Sequence, residues 1–211
     1  MPVGQKTADT LVQKLIPRVE SLKIGPASDP QVDYGPMVTR ELLNKVRAYI
    51  EDGIKEGAKL MVDGRNFKLQ GYENGNFIGG CIFDDVKPDM RIYKEEIFGP
   101  VLSVVRAKDY EEAVRLPSEH EYGNGVAIFT RDGDTARDFT SRVQVGMVGV
   151  NFAIPVPLSY YTFGGWKRSG FGDLNQHGPD AVRFYTKTKT VTARWPSGTK
   201  EGAEFVIPTM K

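Results

Sequence analysis

Two adjacent carboxylates, Glu95 and Glu96, stand in the segment KEEIFGP directly before the apolar run VLSVV. A single carboxylate can accept two hydrogen bonds from a vicinal diol, as acidic residues do with the ribose of dinucleotides. Neighbouring residues in extended chain point to opposite sides, so at most one of the two is expected to face a pocket. This argues against a paired acid–base device. From spacing alone, two solvated surface charges are the simpler interpretation.

The chain has one cysteine and two histidines, which limits nucleophilic and metal chemistry. A single cysteine excludes an intrachain disulfide and any site built from several thiolates, and two histidines argue against a histidine-based metal site. Cys81 lies in GGCIFDDV with no histidine near it in sequence, so we expect a buried, inert thiol. His120 and His177 both lie in polar turns and are expected at the surface. A thiol enzyme that pairs Cys81 with one of these histidines is the alternative.

Two further segments could bind a ligand. Residues 160–173, YYTFGGWKRSGFGD, combine glycines with aromatic rings, which predicts either the wall of a binding site or a packed cluster beneath a loop. Asn151 and Phe152 directly follow the apolar strand pattern VGMVGV. Ligands of open parallel α/β sheets bind beyond the carboxyl ends of the strands, so this position is a second candidate. The sequence contains neither a P-loop, a GxGxxG fingerprint, a metal-ligand spacing nor a GxSxG elbow.

Helical and strand patterns alternate through most of the chain. A helix is predicted from a Thr7 cap to about residue 23, with a kink at Pro17. A second helix is predicted from a Thr39 cap to a stop at Gly57. The later elements are predicted in this order: a strand at Lys59–Val62, a strand over VLSVV, a helix over residues 109–116 that Pro117 stops, a strand over GVAIFT, a helix from Asp132 or Asp134 to residue 143, and a strand over VGMVGVN. Right-handed crossovers between such strands predict an α/β fold with a parallel sheet covered by helices.

Residues 182–195 alternate between two faces, one of which is only weakly apolar. This pattern predicts a strand, because successive side chains of a strand point to opposite faces. A weakly apolar face is typical of a sheet edge or of a strand that pairs with another chain.

Composition excludes several functional classes. The chain has 211 residues, of which 40% are hydrophobic and 26% are charged, as in ordinary globular proteins. A formal charge of +1 excludes a bulk electrostatic attraction to nucleic acid or to an anionic membrane. The richest apolar stretch, residues 145–158, is interrupted by Asn151, Pro155 and Pro157, so no membrane span is predicted. Without a visible signal peptide, a soluble protein of a reducing compartment is expected.

The segment KEEIFGPVL resembles the E-x-F-G-P motif of NAD(P)-dependent aldehyde dehydrogenases. Further blocks resemble that family in its own order and over essentially the whole chain: KIGPASDPQVDYGPMV, YGNGVAIFTRD, VQVGMVGVN and FGGWKRSGFGD. NFAIPVPL and the tail RFYTKTKTVTARWP resemble one branch, the CoA-acylating methylmalonate-semialdehyde dehydrogenases. The resemblance implies an incomplete α/β catalytic domain of three layers with a parallel sheet over residues 1–182. An oligomerisation strand and tail would follow over residues 183–211.

The resemblance also implies the chemistry. That branch oxidises malonate or methylmalonate semialdehyde through a cysteine thioester, with NAD and coenzyme A, to acetyl-CoA or propanoyl-CoA. By correspondence with the family's motifs, Glu96 would bind the hydroxyls of the ribose on the nicotinamide side, and Phe98 would pack near the nicotinamide. Asn151, Phe152 and Phe163 would line the substrate end of the tunnel.

The resemblance further implies what this chain lacks. The family's nucleophilic cysteine and its NAD-binding domain precede the segment that matches PVGQKTAD, and Cys81 falls at a structural position. No catalytic residue is therefore assigned, and we expect a C-terminal portion that is inactive alone or, alternatively, a non-catalytic partner of full-length subunits.

Pro117 stands where the family continues a helix, so a shortened helix is expected. The expected partners are the small semialdehyde and identical subunits, joined through the C-terminal strand as a dimer or tetramer. The expected compartment is the cytoplasm, or the mitochondrial matrix in a eukaryote.

Overall fold

Short strands and six α-helices alternate along residues 2–193, the part of the chain that the computed structural model describes. The helices are α1 Gln5–Glu20, α2 Arg40–Lys55, α3 Arg91–Lys94, α4 Tyr110–Glu119, α5 Gly133–Arg142 and α6 Ala181–Tyr185. The strands are β1 Pro2–Gly4, β2 Lys59–Val62, β3 Cys81–Asp84, β4 Val101–Ser103, β5 Val105–Ala107, β6 Tyr122–Gly123, β7 Gly125–Ile128, β8 Met147–Val150 and β9 Trp166–Lys167. None of the helices within residues 2–193 is long and apolar enough to cross a bilayer.

Helix α2 carries one side of the candidate site, and its sequence explains both of its ends. The Thr39 hydroxyl accepts a hydrogen bond from the Leu42 amide at 3.1 Å, which satisfies one of the unpaired donors of the first turn. Gly57 follows the last turn in the left-handed conformation, with φ +96°. Both predicted boundaries are confirmed. The residues that α2 buries recur at helical spacing: Leu43, Val46, Tyr49, Ile50 and Gly53.

Helix α1 begins and ends earlier than predicted. Its N-cap is Gly4 rather than Thr7, and its last residue is Glu20. The predicted cap is wrong because β1 pairs with β5 up to Gly4 and leads directly into the first turn. Pro17 lies inside the helix but near its end, where the missing amide donor costs a single bond of the last turns.

The strands form four small sheets within the described residues. The largest has the order β2-β3-β4, in which β3 is parallel to β4 and antiparallel to β2. The pairs β1-β5 and β7-β8 are parallel, and β6-β9 is antiparallel. The parallel pairs agree with the predicted α/β class. The described strands do not form a single parallel sheet, because they divide among four sheets, of which β2-β3-β4 is mixed and β6-β9 antiparallel.

The run VLSVV is two strands rather than the one predicted. Strand β4 pairs with β3, whereas β5 pairs with β1 at the start of the chain. The partner changes at Val104, whose side chain is fully buried and whose amide donates to the Phe83 carbonyl at 2.8 Å. Hydropathy cannot reveal this change because both strands are apolar.

Helix α4 continues through Pro117 to Glu119, so the predicted stop at Pro117 is wrong. The Ser118 hydroxyl donates to the Val114 carbonyl at 2.7 Å. The Lys167 ammonium group donates to the carbonyls of Pro117 and Ser118 at 3.1 and 3.0 Å. These bonds satisfy carbonyls of the last turn, and a cation at a helix C-terminus is also favoured by the helix dipole.

The main core packs α2 against the sheet β2-β3-β4 and strand β5. Its buried members are Leu43, Val46, Tyr49, Ile50, Ala58, Ile78, Cys81, Phe83, Val86, Met90, Ile92, Ile97, Val105, Ala107 and Leu116. Ile97 belongs to the loop that also carries Glu96 and Phe98. Burial of Ile97 therefore anchors this predicted site loop in the core.

The C-terminal segment departs from the predicted strand. Residues 181–185 are helical, so a strand that starts at residue 182 is wrong. Residues 186–193 are exposed and form no ladder within the described part of the chain, and residues 194–211 lie outside it. A strand needs a hydrogen-bonded neighbour, and this alternating segment finds none among the described residues.

Candidate active site

The loop between α3 and β4 begins with a carboxylate that is held against α2. The Tyr49 hydroxyl donates to Glu95 at 2.7 Å, and the Arg91 guanidinium donates to the same carboxylate at 3.1 and 3.3 Å. Arg91 also donates to Asp52 of α2 at 2.7 Å, and its Cζ lies 4.5 Å from the centroid of the Tyr49 ring. Glu95 is therefore directed back toward α2.

The pKa shifts of this cluster favour the same arrangement. The hydrogen bonds from Arg91 first, and from Tyr49 second, lower the pKa of Glu95. Burial first, and the hydrogen bond to Glu95 second, raise the pKa of Tyr49. At neutral pH the carboxylate is thus ionised and accepts, while the phenol is protonated and donates.

In the loop segment 95–98, Ile97 lies in the core, whereas Glu95, Glu96 and Phe98 are exposed. The backbone of Glu95 is extended, with φ −103° and ψ 149°. Ile97 is 8% exposed and lies in the core, whereas Glu96 and Phe98 are exposed. Within residues 2–193, the Glu96 carboxylate has no hydrogen-bond or ion-pair partner. The extended backbone at Glu95 is compatible with opposite directions for the two side chains, and Glu96 is the one left without a polar partner.

The far end of the loop is also fixed on α2. Gly99 packs against Val46 so closely that a Cβ atom at Gly99 would lie 2.6 Å from Val46 Cγ2. Phe98 has φ +56°, a strained backbone conformation for a residue with a Cβ atom, and 66% of its surface is exposed. Such strain persists only where the surroundings enforce it, and it is frequent at ligand sites.

The second candidate segment follows β8. Asn151 has φ +55°, and its side-chain amide makes two bonds of 2.9 Å with the Thr130 backbone: Oδ1 accepts from the amide, and Nδ2 donates to the carbonyl. These bonds extend the β7-β8 pairing beyond the strand ends, so the Asn151 side chain fixes the loop that starts there. Contact of Asn151 with a substrate stays a prediction. Phe152, next in sequence, is 63% exposed.

Phe163 lies farther along the same loop and packs on a histidine. Its ring stacks on His177 with 4.2 Å between the ring centroids and 19° between the planes. Phe163 is half-buried, and His177 is exposed as predicted. One face of Phe163 is therefore already covered, which favours the packed-cluster interpretation for this part of the aromatic segment.

The structure places the predicted residues in two groups. Glu96 and Phe98 precede β4 at its amino end, whereas Asn151 and Phe152 follow β8 at its carboxyl end, and these strands belong to different sheets. No hydrogen bond or ring contact joins the two groups in the part of the chain described. Two grooves of about 440 and 390 Å³ run along α4 and include none of these residues. The candidate residues are thus carried by two different sheets, and their assembly into one site stays a prediction.

Cys81 is the inert thiol that the sequence predicts. It is 1% exposed, and its sulfur accepts a hydrogen bond from the Gly64 amide at 3.2 Å. Burial, the largest cause, raises the pKa of the thiol. A buried thiol with a raised pKa forms little thiolate at neutral pH and is a poor nucleophile.

His120 is half-buried, so the surface position predicted for it is wrong. Its Nε2 lies 3.0 Å from the Tyr93 carbonyl, and its Nδ1 accepts from the Tyr122 amide at 3.1 Å. Both ring nitrogens therefore bind backbone, and neither meets Cys81, which removes the basis of the thiol–histidine alternative. In the described residues, no three histidine, cysteine or carboxylate side chains are grouped to hold a metal ion.

Sequence reasoning missed Tyr49 and Arg91. Tyr49 falls on the buried face predicted for α2, and a buried tyrosine usually finds a partner for its hydroxyl. That signal points to some polar partner. It cannot identify Glu95, which lies 46 residues farther along the chain.

Comparison with known proteins agrees with the motif resemblance. The profile of the aldehyde dehydrogenase family matches residues 1–191. The malonate-semialdehyde dehydrogenase of Pseudomonas aeruginosa is 54% identical over 209 residues, which cover 99% of this chain and 42% of that protein. The mitochondrial acylating methylmalonate-semialdehyde/malonate-semialdehyde dehydrogenase of Mus musculus is 44% identical over 199 residues, which cover 93% of this chain and 37% of that protein.

A solved structure shows the same likeness. A protein of Sinorhizobium meliloti described as a methylmalonate-semialdehyde dehydrogenase has been solved in complex with NAD. Its sequence is 68% identical to this chain, and the two structures superpose with a TM-score of 0.88 over 94% of this chain and 40% of that one. The chain thus spans about two fifths of the length of these relatives. With a family profile that covers most of its residues and a fold shared with solved members, this chain belongs to the aldehyde dehydrogenase family of oxidoreductases.

Proposed function

We propose that these residues form the ribose contact and part of the substrate tunnel of an NAD-dependent, CoA-acylating dehydrogenase of malonate or methylmalonate semialdehyde. The observation that carries the proposal is the loop in which Glu96 and Phe98 project from a fixed backbone, while Glu95 and Ile97 hold it to the core. The names of the relatives support the semialdehyde and the acylating reaction, and the NAD complex supports the coenzyme.

The free carboxylate fits a ribose. Glu96 is exposed and, among the described residues, unpaired, so its two oxygens can accept hydrogen bonds from neighbouring hydroxyls of one sugar. Phe98, two residues on, offers an exposed ring for an aromatic base. NAD supplies the hydride acceptor when it is bound. The task of Glu96 and Phe98 is to bind and orient.

The nucleophile is proposed to lie outside these 211 residues. Cys81 is the single cysteine of the sequence, and it is buried with a raised pKa. A thiolate that attacks an aldehyde must be accessible and readily deprotonated, and Cys81 is neither. The chain on its own is therefore proposed to be inactive.

A hybrid subunit tests this proposal. In the hybrid, this chain replaces the 209 aligned residues of the Pseudomonas aeruginosa relative. With malonate semialdehyde and coenzyme A, the hybrid is expected to reduce NAD, measured by NADH absorbance, and the 211-residue chain alone is expected to give no signal. Cys81→Ala in the hybrid is expected to leave the rate within about twofold, because the thiol touches no reacting atom.

Three results would contradict the proposal. Turnover by the free chain, or a folded Cys81→Ala hybrid without activity, would place the nucleophile in this chain. A folded hybrid that binds NAD but oxidises neither semialdehyde would contradict the substrate class.

Exposed apolar side chains concentrate in residues 152–191. The following are at least half exposed: Phe152, Ile154, Val156, Leu158, Tyr160, Tyr161, Trp166, Phe171, Val182, Tyr185 and Val191. Large apolar patches are typical of surfaces that bind other protein. We propose that identical subunits cover this surface, and that residues 183–211 take part in the pairing.

The isolated chain is expected to self-associate because its apolar surface is open to water. Sedimentation velocity over a range of concentrations should show species heavier than the 23.5 kDa monomer. The double variant Ile154→Ser and Leu158→Ser should shift the distribution toward monomer. Val38→Ser is the matched control, because Val38 is 84% exposed but lies outside the patch. A stable monomer at all concentrations would contradict the proposed association.

A non-catalytic assembly partner is the second candidate function, and the same apolar surface favours it. Native mass spectrometry of this chain mixed with the full-length Pseudomonas aeruginosa relative distinguishes the two. Mixed oligomers, together with a hybrid subunit that folds but never turns over, would favour assembly over catalysis.

A further inference from the structure

We propose that Tyr49 and Arg91 are positioning residues: by binding Glu95 they set the direction in which Glu96 and Phe98 project toward the coenzyme. The inference rests on the proposed ribose contact of Glu96 and extends it to residues of α2 and α3. It starts from contacts within the chain, since Tyr49 lies in α2 and Arg91 in α3, outside the loop itself.

One face of α2 presents the contacts that hold the loop. Val46 packs on Gly99, and Tyr49 donates to Glu95 at 2.7 Å. Asp52 accepts from Arg91 at 2.7 Å, and Arg91 in turn donates to Glu95. The α2 residues in this set are three positions apart, a spacing that places them along one stripe of a helix. Helix α2 therefore contacts the loop of residues 95–99 at both of its ends.

The direction of the Glu96 side chain follows from the hydrogen bonds that hold Glu95. The backbone at Glu95 is extended, so the next side chain must point to the opposite side. With Glu95 held on α2 and Ile97 buried, Glu96 and Phe98 share the open side. Freeing Glu95 removes one of these anchors and leaves Ile97 and Gly99 as the others.

The contacts of Tyr49 and Arg91 also distinguish the two adjacent carboxylates, because only Glu95 is paired. Glu95 is compensated by the Arg91 guanidinium and the Tyr49 hydroxyl, whereas Glu96 has no partner among residues 2–193. A sugar that approaches the loop thus meets one free acceptor group, carried on a backbone that is held at both ends. Without Tyr49 and Arg91, two like charges on a looser loop would reach the same solvent.

Tyr49→Phe in the hybrid subunit tests the inference, because it removes the hydroxyl and keeps the buried ring. Amide hydrogen exchange of residues 95–99 is expected to accelerate, since the loop loses a charge-assisted hydrogen bond. The Kd for NAD, measured by calorimetric titration, is expected to rise about three- to tenfold. The rate at saturating NAD should change little, because the hydroxyl acts on binding geometry.

Tyr93→Phe is the matched control. The Tyr93 hydroxyl donates to the Leu116 carbonyl at 3.1 Å, so this variant makes the same chemical change outside the loop contacts. The amide exchange of residues 95–99 and the Kd for NAD should both keep the values of the unsubstituted hybrid. Arg91→Met is the second test variant, and it should shift exchange and Kd in the same direction as Tyr49→Phe.

The Glu96→Gln background separates positioning from general destabilisation. If Tyr49 acts through Glu96, Tyr49→Phe should add little to the Kd of a Glu96→Gln hybrid, whereas independent effects would add. Unchanged exchange and Kd in Tyr49→Phe, or full additivity with Glu96→Gln, overturns the inference while a Glu96→Gln effect still supports the ribose contact. An unchanged Kd in Glu96→Gln alone instead overturns the proposed function.

Discussion

Replacing Arg106 by methionine is expected to destabilise the folded chain by about 2–3 kcal/mol at pH 7. Arg106 of β5 donates to both oxygens of Asp84 in β3, at 3.1 and 2.7 Å, and to Asp9 of α1 at 2.7 Å. Asp84 is 3% exposed. Without the guanidinium, a buried carboxylate loses its main partner, and the link between β5, β3 and α1 is lost.

The sign of the pH dependence follows from the Asp84 pKa. The hydrogen bonds from Arg106, the largest cause, lower that pKa in the folded state, against the opposing effect of burial. The ionised pair therefore stabilises the fold above the unfolded pKa of about 4, and this contribution is lost as pH falls through the lower folded value. In Arg106→Met, the deficit should be largest near neutral pH and should shrink as Asp84 becomes protonated.

Urea unfolding followed by circular dichroism at pH 7 and near pH 4 measures both expectations. Lys59→Met is the matched control: Lys59 pairs with Asp85 at 2.7 Å, but its side chain is 70% exposed, so its loss should change stability far less than the loss of Arg106. Asp84→Asn in the Arg106→Met background should recover part of the stability, because the buried charge is gone. Equal losses in the two methionine variants, or a deficit that grows toward acid pH, would contradict this account of the cluster.

The elements that sequence predicts well are those with local causes. Helix α2 is bounded by its own residues, a hydroxyl at Thr39 and a left-handed Gly57. Strand partners have distant causes: β4 and β5 adjoin in sequence but pair with β3 and β1. Pro117 is likewise misleading, because Lys167 caps the helix from about fifty residues away. Local pattern cannot supply such contacts.

For the candidate site too, the sequence predicts features with local causes and misses contacts between distant residues. Alternation in extended chain predicts opposite directions for Glu95 and Glu96, and the backbone at Glu95 is extended as that prediction requires. Spacing favours two solvated charges, and both glutamates are exposed, but Glu95 also accepts hydrogen bonds from Tyr49 and Arg91. The family resemblance selects Glu96 without a physical reason. The structure offers one: it is the carboxylate of the two that is left without a partner among the described residues.

Glu96→Gln in the hybrid subunit is expected to raise the Kd for NAD about tenfold or more. A carboxylate accepts from both hydroxyls of a vicinal diol, whereas a primary amide offers one acceptor oxygen and a donor group. A hydrogen bond to a charged group contributes about 1.5–3 kcal/mol, and 1.4 kcal/mol corresponds to a factor of ten in affinity. Because Glu96 is exposed and makes no hydrogen bond or ion pair among the described residues, the substitution should leave stability unchanged.

A coenzyme analogue identifies the atoms responsible. An NAD analogue without the two hydroxyls of the nicotinamide ribose should bind the unsubstituted hybrid about as weakly as NAD binds the Glu96→Gln hybrid, and should bind both hybrids equally. Glu20→Gln makes the same charge change at an exposed position at the end of α1 and should not alter either affinity. If Glu96→Gln weakens NAD and the analogue by the same factor, Glu96 acts through its charge at long range and does not bind the diol. That result would leave the contacts between α2 and the loop in place, but they would then not position a carboxylate that binds the ribose.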